Sequence, residues 1–245
     1  MLGNLKERLD VLLFKKGLVD SRKIASDLIK EGKVFVLGEK VTKASKEFFD
    51  DVKIEITELP KFVGRAGLKL ERALDTFNID VTDMVALDVG SSTGGFTDCL
   101  LQRGVNKVYA VDVGTGQLRE ELKNDSRVVS IEQTDIRSIE SLPEKVDIVV
   151  IDVSFISLEL VMPSVLKFLK EGGKIITLVK PQFEVGKDNL GKGGIVKDDV
   201  ARLAVLDKIK NLSFKLGLKV LGEIESPIKG GDGNTEYLLY LASSL

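Results

Sequence analysis

A chain of 245 residues with 43% hydrophobic content can bury one substantial core and a small satellite, while 36 Lys and Arg against 38 Asp and Glu leave a formal charge of −2 and no overall pull toward nucleic acid. Histidine is absent and Cys99 is the only cysteine, which removes Ser-His-Asp triads, imidazole acid–base catalysis, disulfides and Cys-x-x-Cys metal or redox motifs, so no metal is expected. Met1–Phe14 holds Lys6, Glu7, Arg8 and Asp10, which interrupt any apolar leader, and no run approaches the roughly eighteen apolar residues of a membrane helix; the expected location is cytoplasmic, with no membrane partner.

In chain order, Leu5–Lys16 places Leu5, Leu9, Leu12 and Leu13 on one helical face, and Gly17 stops it. Ser21 is the expected N-cap of a second helix with Ile24, Ala25, Leu28 and Ile29 as its apolar stripe and Gly32 as its stop. Val34–Leu37, a turn at Gly38-Glu39, and Lys53–Ile56 follow as strands. The words Arg8-Leu9-Asp10, Gly17-Leu18-Val19-Asp20-Ser21-Arg22, Gly32-Lys33-Val34 and Gly38-Glu39-Lys40-Val41-Thr42-Lys43 resemble the ribosomal-protein-S-four-type RNA-binding module. That resemblance implies a basic face toward RNA phosphates, supplied here by Arg8, Arg22, Lys23, Lys30, Lys33, Lys40 and Lys43 and extended by Arg65. Up to Lys46 there are eleven Lys and Arg against six Asp and Glu, a local excess that the whole-chain charge conceals. The chain is then expected to divide into a first domain at 1–58, a linker at 59–67 containing Pro60, Gly64 and Gly67, and a second domain at 68–245.

The second part alternates strand and helix patterns, which predicts a mostly parallel sheet with helices on both faces. Strands are expected at Val85–Val89, Lys107–Val111, Val128–Ile131, Asp147–Ile151, Lys174–Val179, Lys219–Glu225 and Tyr237–Leu241. Helices are expected at Leu68–Phe77, Phe96–Arg103, Leu118–Lys123, Leu158–Phe168 and Asp198–Leu216, and Cys99 is expected as a small buried apolar residue.

Between the first strand and its helix lies a glycine-rich turn, Asp88-Val89-Gly90-Ser91-Ser92-Thr93-Gly94-Gly95-Phe96. A phosphate-binding P-loop would need Gly-Lys-Ser/Thr at its end and a dinucleotide site G-x-G-x-x-G; neither spacing is present. Asp-x-Gly-x-x-x-Gly-Gly is similar instead to the S-adenosylmethionine loop of class I methyltransferases, especially the FtsJ-type ribose 2′-O-methyltransferases. Asp112, at the end of the second strand, suits a ribose diol because a carboxylate accepts two hydroxyl hydrogen bonds. Asp135, after the third strand, stands where such enzymes hold the adenine amino group.

Asp152 and Lys180 end the runs Asp147–Ile151 and Lys174–Val179, Glu236 opens the last strand, and Lys69 sits in the first turn of a helix, facing the positive end of its dipole. In order and context, Lys69, Asp152, Lys180 and Glu236 resemble the Lys-Asp-Lys-Glu tetrad of FtsJ-type methyltransferases. The words Gly64-Arg65-Ala66-Gly67-Leu68-Lys69-Leu70, Asp152–Ser157, Val179–Glu184, Gly191–Val196 and Gly233–Tyr237 look like the TlyA, or haemolysin-A-like, subfamily. Ala66 departs from a pattern that usually reads Ser-Arg-Gly-Gly before the first lysine. The resemblance implies a class I, Rossmann-like methyltransferase domain of seven strands with a small α+β RNA-binding domain before it, S-adenosylmethionine as cofactor, and cytidine 2′-hydroxyls of ribosomal RNA, in ribosomal subunits, as target. It gives catalytic roles to Lys69, Asp152, Lys180 and Glu236, with Lys180 as amine base or alkoxide-stabilising cation, and cofactor contacts to Asp88 through Phe96, Asp112, Asp135 and Asp152. Two other classes stay open: an RNA-binding assembly factor without catalysis, and the lytic activity that the subfamily label suggests. A monomer is the default expectation.

Overall fold

The computed structural model describes residues 6–19, 21–186, 190–196 and 198–243, and the chain divides into two compact units, 1–61 and 62–245. Leu5 and Asp20, named above, lie outside the described residues.

The first unit runs β1 (Lys6–Arg8), α1 (Leu9–Lys15), α2 (Arg22–Lys30), β2 (Val34–Val36), β3 (Glu39–Lys40), β4 (Glu47–Phe49) and β5 (Ile54–Ile56). Leu9, Leu13, Ala25, Leu28 and Ile29 from the helices pack on Val34, Val36 and Val41 to make its core. The Ser21 hydroxyl caps α2 by accepting the Ile24 N–H at 3.2 Å. The first helix begins later than its apolar periodicity suggested. Lys6–Arg8 is drawn into antiparallel pairing with Glu47–Phe49, and a partner forty residues away leaves no local trace. Leu37 and Gly38 both hold positive φ, 52° and 82°, so β2 and β3 close through a two-residue turn whose twist matches the strands.

The second unit runs α3 (Ala66–Thr76), β6 (Val85–Val89), α4 (Gly95–Gln102), β7 (Lys107–Val111), α5 (Glu120–Lys123), β8 (Val128–Ile131), β9 (Val146–Ile151), α6 (Leu158–Val165), β10 (Leu169–Val179), α7 (Asp199–Lys215), β11 (Leu218–Glu225) and β12 (Tyr237–Ser243). Its seven strands stand in the order β11-β12-β10-β9-β6-β7-β8. Strands β6 to β10 pair in parallel, and β12 runs antiparallel to both of its neighbours. Side chains alternate across the sheet as the pleat demands. Leu87, Val89, Val149 and Ile151 face α6 and α7, whereas Ala86, Ile148 and Val150 face α3 and α4. Burial on both sides is why these strands read as continuous apolar runs.

Two boundaries differ for identifiable reasons. The helix expected from Leu118 starts at Glu120, because the N–H groups of Gly116, Gln117 and Leu118 are taken by the Glu132 carboxylate instead. The helix expected to reach Phe168 ends at Val165 and tightens into a 3-10 turn that delivers the chain to β10. The linker expected at 59–67 is also shorter: Phe62 is buried against Leu70 and Phe96, and the Val63 N–H donates to Asp98 at 2.8 Å, so residues from 62 onward belong to the second unit.

From β6 the chain moves outward through β7 to β8, then returns to the opposite side of β6 as β9. That reversal opens a crevice at the carboxyl ends of β6 and β9, the place where open α/β sheets bind ligands.

Candidate active site

A cavity of about 330 Å³ occupies this crevice, a volume within the range of small-molecule sites. Gly90 follows β6 at φ +84°, and a Cβ there would lie 2.4 Å from the Asp152 carbonyl oxygen; only glycine lets the ends of β6 and β9 approach this closely. Asp112, after β7, accepts the Ser92 N–H at 2.8 Å and the Gly114 N–H at 2.7 Å, one on each oxygen. Each oxygen keeps a lone pair for a further donor. Asp135 also lines the cavity, but its carboxylate is engaged by the Arg137 guanidinium, at 2.5 Å for the shorter contact, and by the Arg137 N–H. The guanidinium holds this acid below the usual carboxylate range.

The glycine-rich turn has two faces. Gly90 and Ser92 line the cavity together with Asp112, Asp135 and Asp152, whereas Asp88, Ser91, Thr93, Gly94, Gly95 and Phe96 are not among the residues lining it. Phe96 is core, and a Cβ on Gly95 would meet the Gly67 nitrogen at 3.0 Å, so this half of the turn seats α3 against the sheet. Asp88 points to the α4 side, where its Oδ2 accepts the Thr97 hydroxyl at 2.7 Å. Its Oδ1 is buried without a hydrogen-bond partner, and burial raises the group from 3.8 to about 7.

Four charged residues form two ion pairs. Lys180 leaves β10 in extended conformation, as a residue before proline must, and its Nζ meets Asp152 Oδ1 at 2.6 Å and donates to Ser154 Oγ at 2.9 Å. Lys69, 7% exposed, donates to Glu236 Oε2 at 2.5 Å, and Glu236 is 2% exposed. Gln182, two residues beyond Lys180 in the chain, reaches the second pair through a 3.4 Å contact from Nε2 to Glu236 Oε1. Gly230 leaves room for this carboxylate, since a Cβ there would lie 2.4 Å from Glu236 Oε1. Sequence reasoning missed the wall formed by Val113, Gln117, Ser154 and Phe155. Phe155 is 91% exposed, sits at φ +64°, and contacts Phe183 ring to ring at 5.0 Å. An apolar residue inside a short word carries no sign of exposure, so only the fold exposes this one.

The FtsJ-like methyltransferase family matches residues 62–243, and the S4 domain matches residues 7–48. The chain belongs to the FtsJ-like methyltransferase family. Its relatives include Hemolysin A of Brachyspira hyodysenteriae, 44% identical over 95% of this chain and 98% of that protein. Another is the 16S/23S rRNA (cytidine-2'-O)-methyltransferase TlyA of Mycobacterium tuberculosis, 41% identical over 96% of this chain and 90% of that one. A solved structure of a hemolysin-named protein from Streptococcus thermophilus superimposes with a TM-score of 0.78 at 42% identity, covering 98% and 90% of the two chains.

The cofactor of this FtsJ-like methyltransferase is S-adenosylmethionine, and the cavity fits it. A carboxylate with free lone pairs, Asp112, suits a ribose diol; the apolar walls of Val113 and Ile136 suit a purine; and the Gly90 cradle leaves the backbone bare where a ligand must approach. No helix among the described residues is long and apolar enough to cross a membrane, and no cluster of His, Cys, Asp and Glu among them could hold a metal ion.

The basic residues of the first unit separate into two groups. Arg8 and Arg22 converge on the buried Asp10, at 2.9 and 3.2 Å. Burial alone would raise that acid, but the hydrogen bonds from Arg8 and Arg22 outweigh it and hold it below its ordinary value. Lys33 is held by Glu31 and Glu58, and Lys40 lies along the Phe35 ring. Lys23, Lys30 and Lys43 stand exposed, outside every ion pair found among the described residues. Arg65 is exposed at the start of α3, in the second unit.

Proposed function

We propose that this chain methylates ribose 2′-hydroxyls of ribosomal RNA, with cytidine as the modified nucleoside, and that Lys69, Asp152, Lys180 and Glu236 carry the reaction. The observation that supports this most directly is the setting of Lys180: its nitrogen is held by Asp152 and Ser154, both of which line the cavity. The names of relatives that act on ribosomal RNA cytidines supply the substrate class.

When bound, the cofactor supplies a methyl group activated on a sulfonium. The 2′-hydroxyl that receives it is a poor nucleophile and must lose its proton during attack. With two directions of the Lys180 nitrogen fixed by Asp152 and Ser154, a third faces the acceptor oxygen, where Lys180 takes the proton or stabilises the developing alkoxide. Asp152 orients Lys180 and joins it to the cavity. Lys69 and Glu236, a buried pair that Gln182 reaches from the Lys180 segment, brace the edge against which the ribose is held. The exposed Phe155 ring offers a flat apolar surface on which the target base stacks, and it rests on Phe183, the ring over which the Lys180 nitrogen lies. Aligning two bound reactants in this way is worth roughly 7–11 kcal/mol of barrier. In the first unit, Lys23, Lys30 and Lys43 attract RNA phosphates, while Arg8, Arg22 and Lys33 brace the module as much as they face RNA.

The test is transfer of labelled methyl from S-adenosylmethionine to ribosomal subunits stripped of 2′-O-methylation, with the modified riboses mapped. Label on a base, or none on RNA at all, overturns the proposal.

A further inference from the structure

Two segments leave the carboxyl ends of the neighbouring parallel strands β9 and β10: Asp152–Ser157 and Lys180–Glu184. Three contacts between them involve residues already assigned a role, namely Lys180 with Asp152, Lys180 with Ser154, and Phe155 with Phe183. A fourth does not. The Glu184 side chain is 2% exposed, and its carboxylate accepts the Ser157 hydroxyl at 2.6 Å on Oε2 and the Leu158 N–H at 2.7 Å on Oε1. Lys208 of α7 brings the nearest positive charge, 3.7 Å from Oε2, and is itself paired with Glu159 at 2.7 Å. A buried carboxylate is costly unless donors satisfy it, so this one is tied to the segment that supplies them.

The tie matters because of what lies between its ends. Phe155 holds φ +64°, a left-handed conformation that is unfavourable for a non-glycine residue and persists only where its surroundings enforce it. Upstream, the enforcement comes from the sheet, through the Asp152 N–H to the Val89 carbonyl at 2.9 Å. Downstream it comes from Glu184, which grips the residues two and three positions beyond Phe155. We propose that Glu184 is a positioning residue: by clamping Ser157 and Leu158 to the segment that carries Lys180, it sets Ser154 and Phe155 relative to the Lys180 nitrogen and so determines how the acceptor nucleotide meets it. This inference rests on the ribose 2′-O-methylation reading and adds to it a residue outside the cavity wall.

A helix-capping role alone makes a different prediction. Glu184 would then contribute to the stability of α6 and leave the reaction of the folded protein unchanged. The experiment compares Glu184→Ala, Glu184→Gln and Ser157→Ala in the full chain, each at a temperature where circular dichroism shows it folded. Methyl transfer to unmethylated ribosomal subunits gives kcat and KM, and calorimetry gives the Kd for S-adenosylmethionine. Glu184→Ala is expected to lower kcat/KM for RNA about thirtyfold, since a displacement of an ångström at a reacting centre is worth on the order of a hundredfold. Its cofactor Kd should change several-fold less than kcat/KM, because Gly90 and Asp112 belong to other segments and only the Ser154–Phe155 wall of the cavity is displaced. Glu184→Gln keeps an acceptor for Leu158 and a donor for the Ser157 oxygen, and should recover kcat/KM to within about fivefold of the parent. Ser157→Ala should fall between them. A folded Glu184→Ala with kcat/KM within twofold of the parent overturns the inference, as does an equal loss of cofactor affinity. Should that variant fail to fold, Ser157→Ala decides: a parent-like kcat/KM overturns the inference and a reduced one supports it. A parent protein that transfers no methyl to RNA overturns the functional reading and this inference together, whereas an active parent with active variants overturns this inference alone.

Discussion

Lysines do two kinds of work in this chain, and their settings separate the kinds. At the sheet edge of the second unit, Lys69 and Lys180 are nearly enclosed, and each has its own carboxylate, Glu236 at 2.5 Å and Asp152 at 2.6 Å. In the first unit, Lys23, Lys30 and Lys43 are exposed and outside the ion pairs of the described residues. An enclosed lysine with one partner has its nitrogen fixed in space, so its worth depends on position and any substitution is felt. An exposed lysine acts through charge at a distance, so its worth is additive, screened by salt and largely indifferent to exact placement. On the proposed reading, the same residue type serves geometry in one unit and attraction in the other.

The sharpest way to break that contrast is Lys180→Ala. Removing a positioned proton acceptor or alkoxide partner is expected to reduce kcat by about 10²–10⁴-fold, with S-adenosylmethionine binding retained in calorimetry. Near-normal methyl transfer by folded protein would mean that enclosure at this edge is structural only. Lys69→Ala should act first on the fold. It strands the Glu236 carboxylate, 2% exposed, without its cation, and breaking a buried pair from one side costs roughly 3–5 kcal/mol. The second substitution, Glu236→Gln, should return part of that stability by removing the stranded charge, while activity stays low in both. Urea unfolding of the two variants against the parent measures this.

The central strands of the sheet were legible from sequence because they are buried on both faces and so appear as unbroken apolar runs ended by chemistry-bearing residues: Asp88-Val89-Gly90, Asp112, Asp152 and Lys180. Order along the chain then placed those residues at one edge, since the carboxyl ends of parallel strands all lie together. What stayed hidden depends on contacts between distant segments. Lys6–Arg8 looks helical until Glu47–Phe49 is beside it. The inward face of the glycine-rich turn depends on Gly64 and Gly67 packing behind it, which no local pattern encodes. Glu132 and Glu184 look like surface acids, yet each accepts hydrogen bonds from a segment separated from it in sequence. Phe155 looks like core and lies open to solvent, because a left-handed backbone turns it outward.

Asp88 sharpens the contrast from the acidic side, as an enclosed carboxylate on the α4 side of the sheet. Burial raises it from 3.8 to about 7, so the folded state holds its proton where the unfolded chain has lost it. Its contribution to stability is complete below about pH 3.8, declines as pH rises, and is gone above about 7. Asp88→Asn cannot titrate. The stability of that variant relative to the parent should therefore climb between pH 4 and 7 and level off above 7, whatever its absolute value. Denaturant unfolding at pH 4.5, 6 and 8 reads the trend, and a constant difference would show that the acid is ionised in the folded protein throughout.

The smallest effects belong to the exposed lysines. Lys23→Gln, Lys30→Gln and Lys43→Gln should each weaken binding to ribosomal RNA only a few-fold, leave kcat at saturating RNA unchanged, and combine additively. Each lysine that contacts a phosphate releases its share of condensed counterions, so the slope of log affinity against log salt should fall by somewhat less than one per substitution, about 0.7 on single-stranded and 0.9 on duplex targets. Arg22→Gln provides the control, because its guanidinium is directed to Asp10 at 3.2 Å and its loss should cost stability as well as affinity. If the three lysine variants leave the salt slope where it was while Arg22→Gln lowers it, RNA contact in the first unit runs through the braced arginines rather than the unpaired lysines. The division of labour between enclosed and exposed cations would then hold for the second unit only.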